Sequence, residues 1–399
     1  MQTRLTSRLI LALIIALALT LVLSTFEQVR FFARADEGCY LRYAAYLGEK
    51  GPSGLAAIFQ GFIQDQPHWF NPNPLRIGFI ILSGAWLKIL GYSFMNLAFL
   101  SLFSYALFLG LSYYFSRKYL GEQLALLLVI LLAFSPLQMA MARRALIEST
   151  TNLFLVSAVW LFWDFLKSRS RLKSILFIAV FTGSILIKET SVLLIFVFLP
   201  YFLADRFIYG KKTSLKEIAF ILFLPLILAG LAYLLLGCFP YILETLKILC
   251  GPPQPASYAT LFCSGPWYRY LIDYMLLSPW VVILAVGFIF SFFLQREEEG
   301  LSLYFIFVFL LTFILFNIFM KNVRYVIILD TPLRLFSLLM LNRIVGRIYP
   351  RQAMKLTFAL VMALALFDYF NFYQLFIQEG IYDPASFFLL KAKHFIPFN

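Results

Sequence analysis

Runs of about twenty apolar residues, separated by short polar loops, recur along this chain, and they leave few choices of fold. A helical run of that length matches the hydrocarbon thickness of a bilayer. In lipid the backbone must satisfy its own hydrogen bonds, so helices are the default. Of 399 residues, 62% are hydrophobic and only 13% charged. No polar stretch is long enough for a separate water-soluble domain. The reading is an all-α polytopic membrane protein, with residues 1–399 as a single integral membrane domain. The net charge of +13 fits basic loops that hold such a chain in one orientation. It does not point to nucleic acid.

The N-terminus carries Arg4 and Arg8 before an apolar run from Leu9 to Leu23, as a signal peptide does, and Ala33-Arg34-Ala35 imitates a cleavage site. The distance from Leu23 to Ala35 favours an uncleaved signal-anchor.

Two segments decide the topology. Arg76 to Leu90 is apolar but short and carries Lys88. Ser174 to Leu203 is too long for one ordinary span and is split by Lys188-Glu189-Thr190. We place the first along the outer interface and read the second as a two-helix hairpin. This predicts eleven crossings, at roughly 9–29, 95–115, 122–138, 149–166, 174–187, 190–203, 218–236, 271–294, 301–319, 325–341 and 356–371. The N-terminus is then cytoplasmic. The basic loops around Arg117-Lys118, Lys167 to Lys173, Arg206 to Lys216 and Arg343 to Lys355 all fall inside, as positive charge prefers. The outer segments are 30–94, 237–270 and 372–399. Asp36, Glu37, His68, Arg76, Glu148, Lys188, Glu189 and Arg324 then gather toward the outer face, a clustering that was not used to choose the topology. The expectation is an integral protein of the inner or plasma membrane with an extracytoplasmic active site.

All four cysteines, Cys39, Cys238, Cys250 and Cys263, fall outside, where disulfides persist. Cys250 and Cys263 share one loop and form a candidate disulfide, with free buried thiols as the alternative.

Charge is scarce in this chain, so ionisable groups near the membrane edge are functional candidates. Asp36 opens DEGCYLRYAAYLGEKG, and on a helix it shares a face with Tyr40 and Tyr43. A carboxylate beside a low-dielectric slab suits a general base. The same place suits helix capping, with Glu37 next in the first turn. Arg143 and Arg144 lie outside, against the positive-inside trend, and arginine recognises phosphate through a planar fork of donors. An Arg144–Glu148 helical pair is the plainer alternative. Lys188 faces phosphate or forms a self-neutralising turn with Glu189. Arg324, beside Tyr325, meets phosphate at headgroup depth or serves as a snorkelling anchor. Asp330 and Arg334, four apart, are placed to pair within their span. His68 sits in the turn QPHWFNPNPLR. With two histidines in the chain, a structural zinc site has no support. Asp36 and Glu148 are the residues for a divalent ion, if one is used. Neither a P-loop nor a GxSxG elbow is present, so no nucleotide is expected.

These segments in this order resemble the polytopic GT-C glycosyltransferases, in the branch of protein O-mannosyltransferases and the lipid A aminoarabinose transferase. DEGCYLRYAAYLGEKG is similar to the family's first outer loop, with its acidic pair and Tyr- and Ala-rich helix. NPNPLRIGFIILSGAWLKILG resembles the Pro-rich turn and helix that follow it. RRALIEST resembles the second outer loop, GSILIKET the lysine-bearing hairpin, and WYRYLIDYMLLSPW and RYVIILDTPLRLF later segments. The likeness covers most of residues 1–340, leaving 341–399 as a terminal span and short outer tail where some relatives carry a large soluble domain.

The resemblance implies a GT-C-like helical bundle with outer juxtamembrane helices. It implies inverting transfer of a sugar from a polyprenyl-phosphate donor to a lipid, glycan or protein acceptor. Asp36 would be the base and Glu148 a second acid. Glu37, Tyr40, His68, Arg76, Arg143, Arg144, Lys188, Glu189, Arg324 and Tyr325 would be candidates for holding the donor. Trp163-Asp164 falls on the cytoplasmic side, so the acceptor motif of oligosaccharyltransferases is not matched. A transporter or lipid flippase is the rival class, and a polysaccharide ligase or polymerase the rival chemistry. No internal repeat of the kind transporters carry is visible.

Overall fold

The computed structural model describes residues 2–33, 35–64, 72–207, 214–251, 263, 265–295, 300–318 and 321–380. Regular structure among them is helical throughout. In chain order the helices are α1 (Gln2–Leu23), α2 (Asp36–Lys50), α3 (Gly54–Gln64), α4 (Ile77–Leu90), α5 (Phe94–Leu120), α6 (Glu122–Ala133), α7 (Pro136–Ala142), α8 (Glu148–Ser168) and α9 (Arg171–Ile187). They continue as α10 (Ile195–Phe207), α11 (Leu215–Leu235), α12 (Ile242–Cys250), α13 (Arg269–Leu277), α14 (Pro279–Gln295), α15 (Gly300–Phe316), α16 (Asp330–Ile348) and α17 (Ala353–Phe372). Two compact units result, each assembled from separated stretches. The first takes residues 1–29, 105–143 and 261–399, and the second takes 30–104 and 144–260.

Six described helical stretches are long and apolar enough to cross a membrane: Thr6–Gln28, Phe94–Leu120, Glu148–Ser168, Lys216–Leu235, Val323–Ile348 and Pro350–Gln378. They match six of the eleven expected spans, and the chain is a multi-pass membrane protein. The expected span 122–138 is bent by 62° between α6 and α7. Ser135 makes the break, its side chain accepting the Gln138 N–H while Pro136 opens α7, a standard start signal. The expected span 271–294 is likewise two helices, parted at Ser278 before Pro279. The expected span at 325 begins as a 3₁₀ segment, Val323–Leu329, and then continues as α16. α9 and α15 have 17 residues each, the lower end of what crosses a bilayer. The predicted hairpin break at Lys188 is present. Lys188 is extended (φ −145°, ψ 118°) and the chain resumes as a 3₁₀ turn, Glu189–Leu194, before α10.

In the first unit α16 packs along α14, α17 and α6, and α6 also meets α1 and α17. Its charged knot is Arg334, fully buried. Arg334 Nε donates to Asp330 at 2.9 Å and Nη1 to Asp368 at 2.6 Å, while Nη2 reaches Ser278 at 3.2 Å. The Asp330–Arg334 pairing is the one predicted from spacing. Asp368 joins from α17, and Asn371 on the same helix donates to the Leu277 carbonyl at 3.0 Å. The knot thus ties α16 and α17 to the α13–α14 break. In lipid such a group persists only when its donors are satisfied.

In the second unit α8 and α9 form the longest seam, α9 continues onto α11 and α4, and α2 lies along α4. α8 is buried on nearly every face, as expected of a helix that is core on all sides. α4 and α9 approach backbone to backbone: a Cβ on Gly78 would lie 2.8 Å from the Leu186 carbonyl carbon. That contact holds the Pro-rich turn before α4 against the Lys188 break.

The Cys250–Cys263 bridge is not formed; all four cysteines are thiols. Cys250 ends α12 exposed in the second unit. Cys263 is buried in the first, its carbonyl accepting the Lys321 N–H at 2.6 Å. Sharing a loop in sequence therefore did not make them partners.

Candidate functional site

The second unit collects most of the predicted residues into one polar lattice at the head of α2. Ala35 is extended (φ −116°, ψ −169°), so Asp36 and Glu37 occupy the first turn, where the helix dipole favours negative charge. Asp36 is half-buried, whereas Glu37 is fully enclosed. Arg144 grips Glu37 through two parallel bonds of 2.6 Å, from Nε and Nη2. The same carboxylate accepts the Phe32 N–H at 2.9 Å, and the Phe32 ring lies 5.4 Å from the Arg144 guanidinium. Arg42 adds a bond to the Ala33 carbonyl at 2.9 Å. Gly38 lets the loop settle, since a Cβ there would lie 1.9 Å from the Ala33 oxygen. The loop is thus clamped to α2 on both sides of Asp36.

Tyr40, one turn on, is buried, sits edge-on to Phe79 and bonds to Arg76. Burial pushes its hydroxyl well above the ordinary tyrosine value; Arg76 opposes this, while the charges of Asp36 and Glu148 add to it. The phenol therefore stays protonated with both acids and one arginine within electrostatic reach. Arg76 also donates to both Glu189 oxygens, at 3.1 and 3.2 Å, and Asn73 donates to Glu189 at 3.0 Å. Burial alone would raise the Glu189 carboxyl, but the Arg76 charge and the bonds from Arg76 and Asn73 hold it down at about 2. Lys188 Nζ lies 3.8 Å from Glu148 Oε1, both side chains nearly enclosed. Cations and carboxylates thus alternate in three pairs, 144 with 37, 188 with 148 and 76 with 189, an arrangement that tolerates burial.

The lowered Glu189 value has a consequence for stability. A carboxyl whose folded value lies below its ordinary 4.5 stabilises the fold above that ordinary value, and the contribution is lost as pH falls from there toward 2. The apparent melting temperature in detergent is expected to fall more steeply between pH 5 and pH 2.5 for the wild type than for Glu189→Gln. Parallel curves would show that the pairing carries no stability.

The geometry revises two of the pairings weighed from sequence. Arg144 pairs with Glu37, not with Glu148 four residues on, and Lys188 pairs with Glu148, not with its neighbour Glu189. Glu37 is held as an anchor by Arg144 and the Phe32 N–H. Arg143 belongs to the first unit, almost fully buried, and donates to the backbone carbonyls of Thr25 at 2.6 Å and Phe376 at 3.3 Å. Arg324 and Tyr325 also belong to the first unit. There the Arg324 guanidinium lies 5.3 Å from the Tyr325 ring, and the Arg324 backbone N–H donates to the Asn322 side-chain oxygen at 3.2 Å. His68 lies outside the described residues. Among the described residues no three His, Cys, Asp or Glu side chains converge on a metal-sized site.

Sequence reasoning missed Asn73 and Asp368. Asn73 is masked by a turn motif in which asparagine is ordinary. Asp368 carried a readable signal, a lone acid in an apolar span.

Residues 74–236 match the family described as dolichyl-phosphate-mannose-protein mannosyltransferase. The fold is similar to crystal structures of ArnT from Cupriavidus metallidurans, in the apo state and bound to undecaprenyl phosphate. Each superposes with a TM-score of 0.58 at 15% identity, over 86% of this chain and 61% of that one. The fold is of the GT-C type. This chain therefore spans less than two thirds of the solved GT-C-type structures it matches. No curated protein matches it. The matched stretch 74–236 carries Arg76, Arg144, Glu148, Lys188 and Glu189 of the lattice, while Asp36 and Glu37 precede it.

Proposed function

We propose that this protein is a membrane glycosyltransferase that transfers a sugar from a polyprenyl-phosphate donor to an acceptor, with inversion. The observation that carries the reading is the half-buried Asp36 at the head of α2, held by a clamped loop within the polar lattice. The Asp36 carboxylate takes the proton of an acceptor hydroxyl or amine as that atom bonds to the anomeric carbon. The anomeric carbon–oxygen bond to phosphate breaks, and polyprenyl phosphate leaves with the electron pair. Lys188 and Arg76, each paired with a carboxylate in the lattice, are the cations this reading assigns to steady the departing charge. Glu148, facing Lys188, is placed to orient that lysine. A donor confined to lipid keeps its phosphate at headgroup depth, so no nucleotide is required.

The distribution of basic loops supports a cytoplasmic N-terminus and an extracytoplasmic site. Reporter fusions after Arg117 and Arg171 should read cytoplasm and one after Gly251 the exterior; a cytoplasmic signal at Gly251 would move the site to the other face. The activity itself is tested by incubating purified protein with polyprenyl-phosphate sugars and following release of free polyprenyl phosphate. If no donor in a broad panel binds or reacts, the transporter reading replaces this one.

A further inference from the structure

Between α2 and α3 runs an open groove of about 670 Å³, walled by Cys39, Arg42, Tyr43, Tyr46, Glu49 and Phe62. We infer that this groove holds the acceptor and that the acceptor is a saccharide; the inference rests on the transfer reaction proposed above. Its volume falls within the range of ligand sites, and its lining has their character, mostly apolar and aromatic with a few polar groups.

The charge pattern selects the ligand. One arginine and one glutamate face the groove, so there is no excess of positive charge for a lipid phosphate. Arg42 is already spent on the Ala33 carbonyl at 2.9 Å and on Cys39 Sγ at 2.8 Å. Tyr43, its hydroxyl tied to the Pro72 carbonyl at 3.2 Å, and Tyr46, 38% exposed, present flat apolar faces with polar edges. Sugar rings offer the complement: flat C–H faces for the aromatics and hydroxyls for Glu49 and the tyrosine edges. Small residues, Ala45, Ala57 and Gly61, keep the groove wide enough for a ring.

Position selects the role. Cys39 lines the groove and lies one helical turn after Asp36 on the same side of α2. The Asp36 charge reaches the Cys39 thiol. A saccharide seated along the groove therefore brings its leading hydroxyl to the end where the proposed base stands.

The test fills the groove. A Cβ at Gly61 meets no heavy atom within 4 Å, and Gly61 lines the groove, so Gly61→Trp adds bulk on that wall. Gly346 is equally open but lies on α16, and Gly346→Trp serves as the control. Purified wild type is titrated with end-labelled oligosaccharides of mannose, glucose and N-acetylglucosamine, and separately with polyprenyl phosphate. At least one oligosaccharide series should bind. Gly61→Trp and Tyr46→Ala should each weaken it roughly tenfold or more, the effect of losing a central aromatic contact, and Gly346→Trp should bind as wild type. If no oligosaccharide binds, or the two groove variants bind as wild type, the groove assignment is wrong. Polyprenyl phosphate binding with no saccharide binding would overturn the groove alone. Saccharide binding with no affinity for polyprenyl phosphate would keep the groove and overturn the transferase reading. Binding of peptides in place of oligosaccharides would replace the saccharide with a polypeptide acceptor and overturn the inference.

Discussion

Asp36→Asn should lower turnover with a polyprenyl-phosphate sugar by roughly 100-fold or more, the usual contribution of a positioned general base. Asparagine keeps the size and one oxygen acceptor but loses the charge and the basicity. Yield and monodispersity in detergent should barely change, because Glu37, Arg144, Gly38 and Arg42 hold the loop before α2 and the carboxamide can take over the acid's place at the head of the helix. The Michaelis constant for donor should move little, since the acid stands on the acceptor side in this mechanism. Full activity of Asp36→Asn on a demonstrated substrate would remove the base assignment. A loss of both activity and fold would instead make Asp36 part of the clamp.

The second large effect belongs to the Glu37–Arg144 pair. Both partners are enclosed, with side-chain exposures of 1% and 5%. Arg144→Ala leaves a carboxylate buried without its bidentate partner, a change that costs about 3–5 kcal/mol in comparable settings. The apparent melting temperature should drop sharply, and residual folded protein should be poorly active because Asp36 loses its support. The double change Glu37→Gln with Arg144→Met should recover much of the stability, since no charge is then stranded and the new carboxamide can still accept the Phe32 N–H. A double variant no more stable than Arg144→Ala would mean that the arginine matters for its packing on Phe32. A single variant as stable as wild type would show the clamp to be dispensable.

Much of the bundle is legible in the chain because length and apolarity are local properties: α1, α5, α8, α11 and the stretches containing α16 and α17 lie close to where the apolar runs put them. The bend at Ser135-Pro136 and the break at Ser278-Pro279 are also written locally. A window long enough to span a bilayer averages over them. The site divides in the same way. Its members stand out because charge is rare in this composition, so Asp36, Arg76, Lys188 and Glu189 draw attention unaided. Their partnerships do not. Glu37 and Arg144 are 107 positions apart, and Arg76 and Glu189 are 113 apart. Helical spacing offers only nearer partners, such as Glu148 for Arg144. Arg143 and Arg144 sharpen the point: adjacent and chemically alike, they serve different units because α7 ends at Ala142 and the chain turns between them.

That division between neighbours bears on how the molecule is made. The second unit closes within residues 30–260, so every partner in its polar lattice has left the ribosome once that stretch is complete. The first unit is begun early, with residues 1–29 and 105–143, and needs 261–399 to finish. Arg143 must therefore wait in the membrane for the Phe376 carbonyl while more than half of the polypeptide is still being synthesised. During that interval a guanidinium sits near apolar surroundings before its final set of acceptors is complete. Biogenesis, more than the finished bundle, is where a lipid headgroup or an insertion factor would have to shelter the charge.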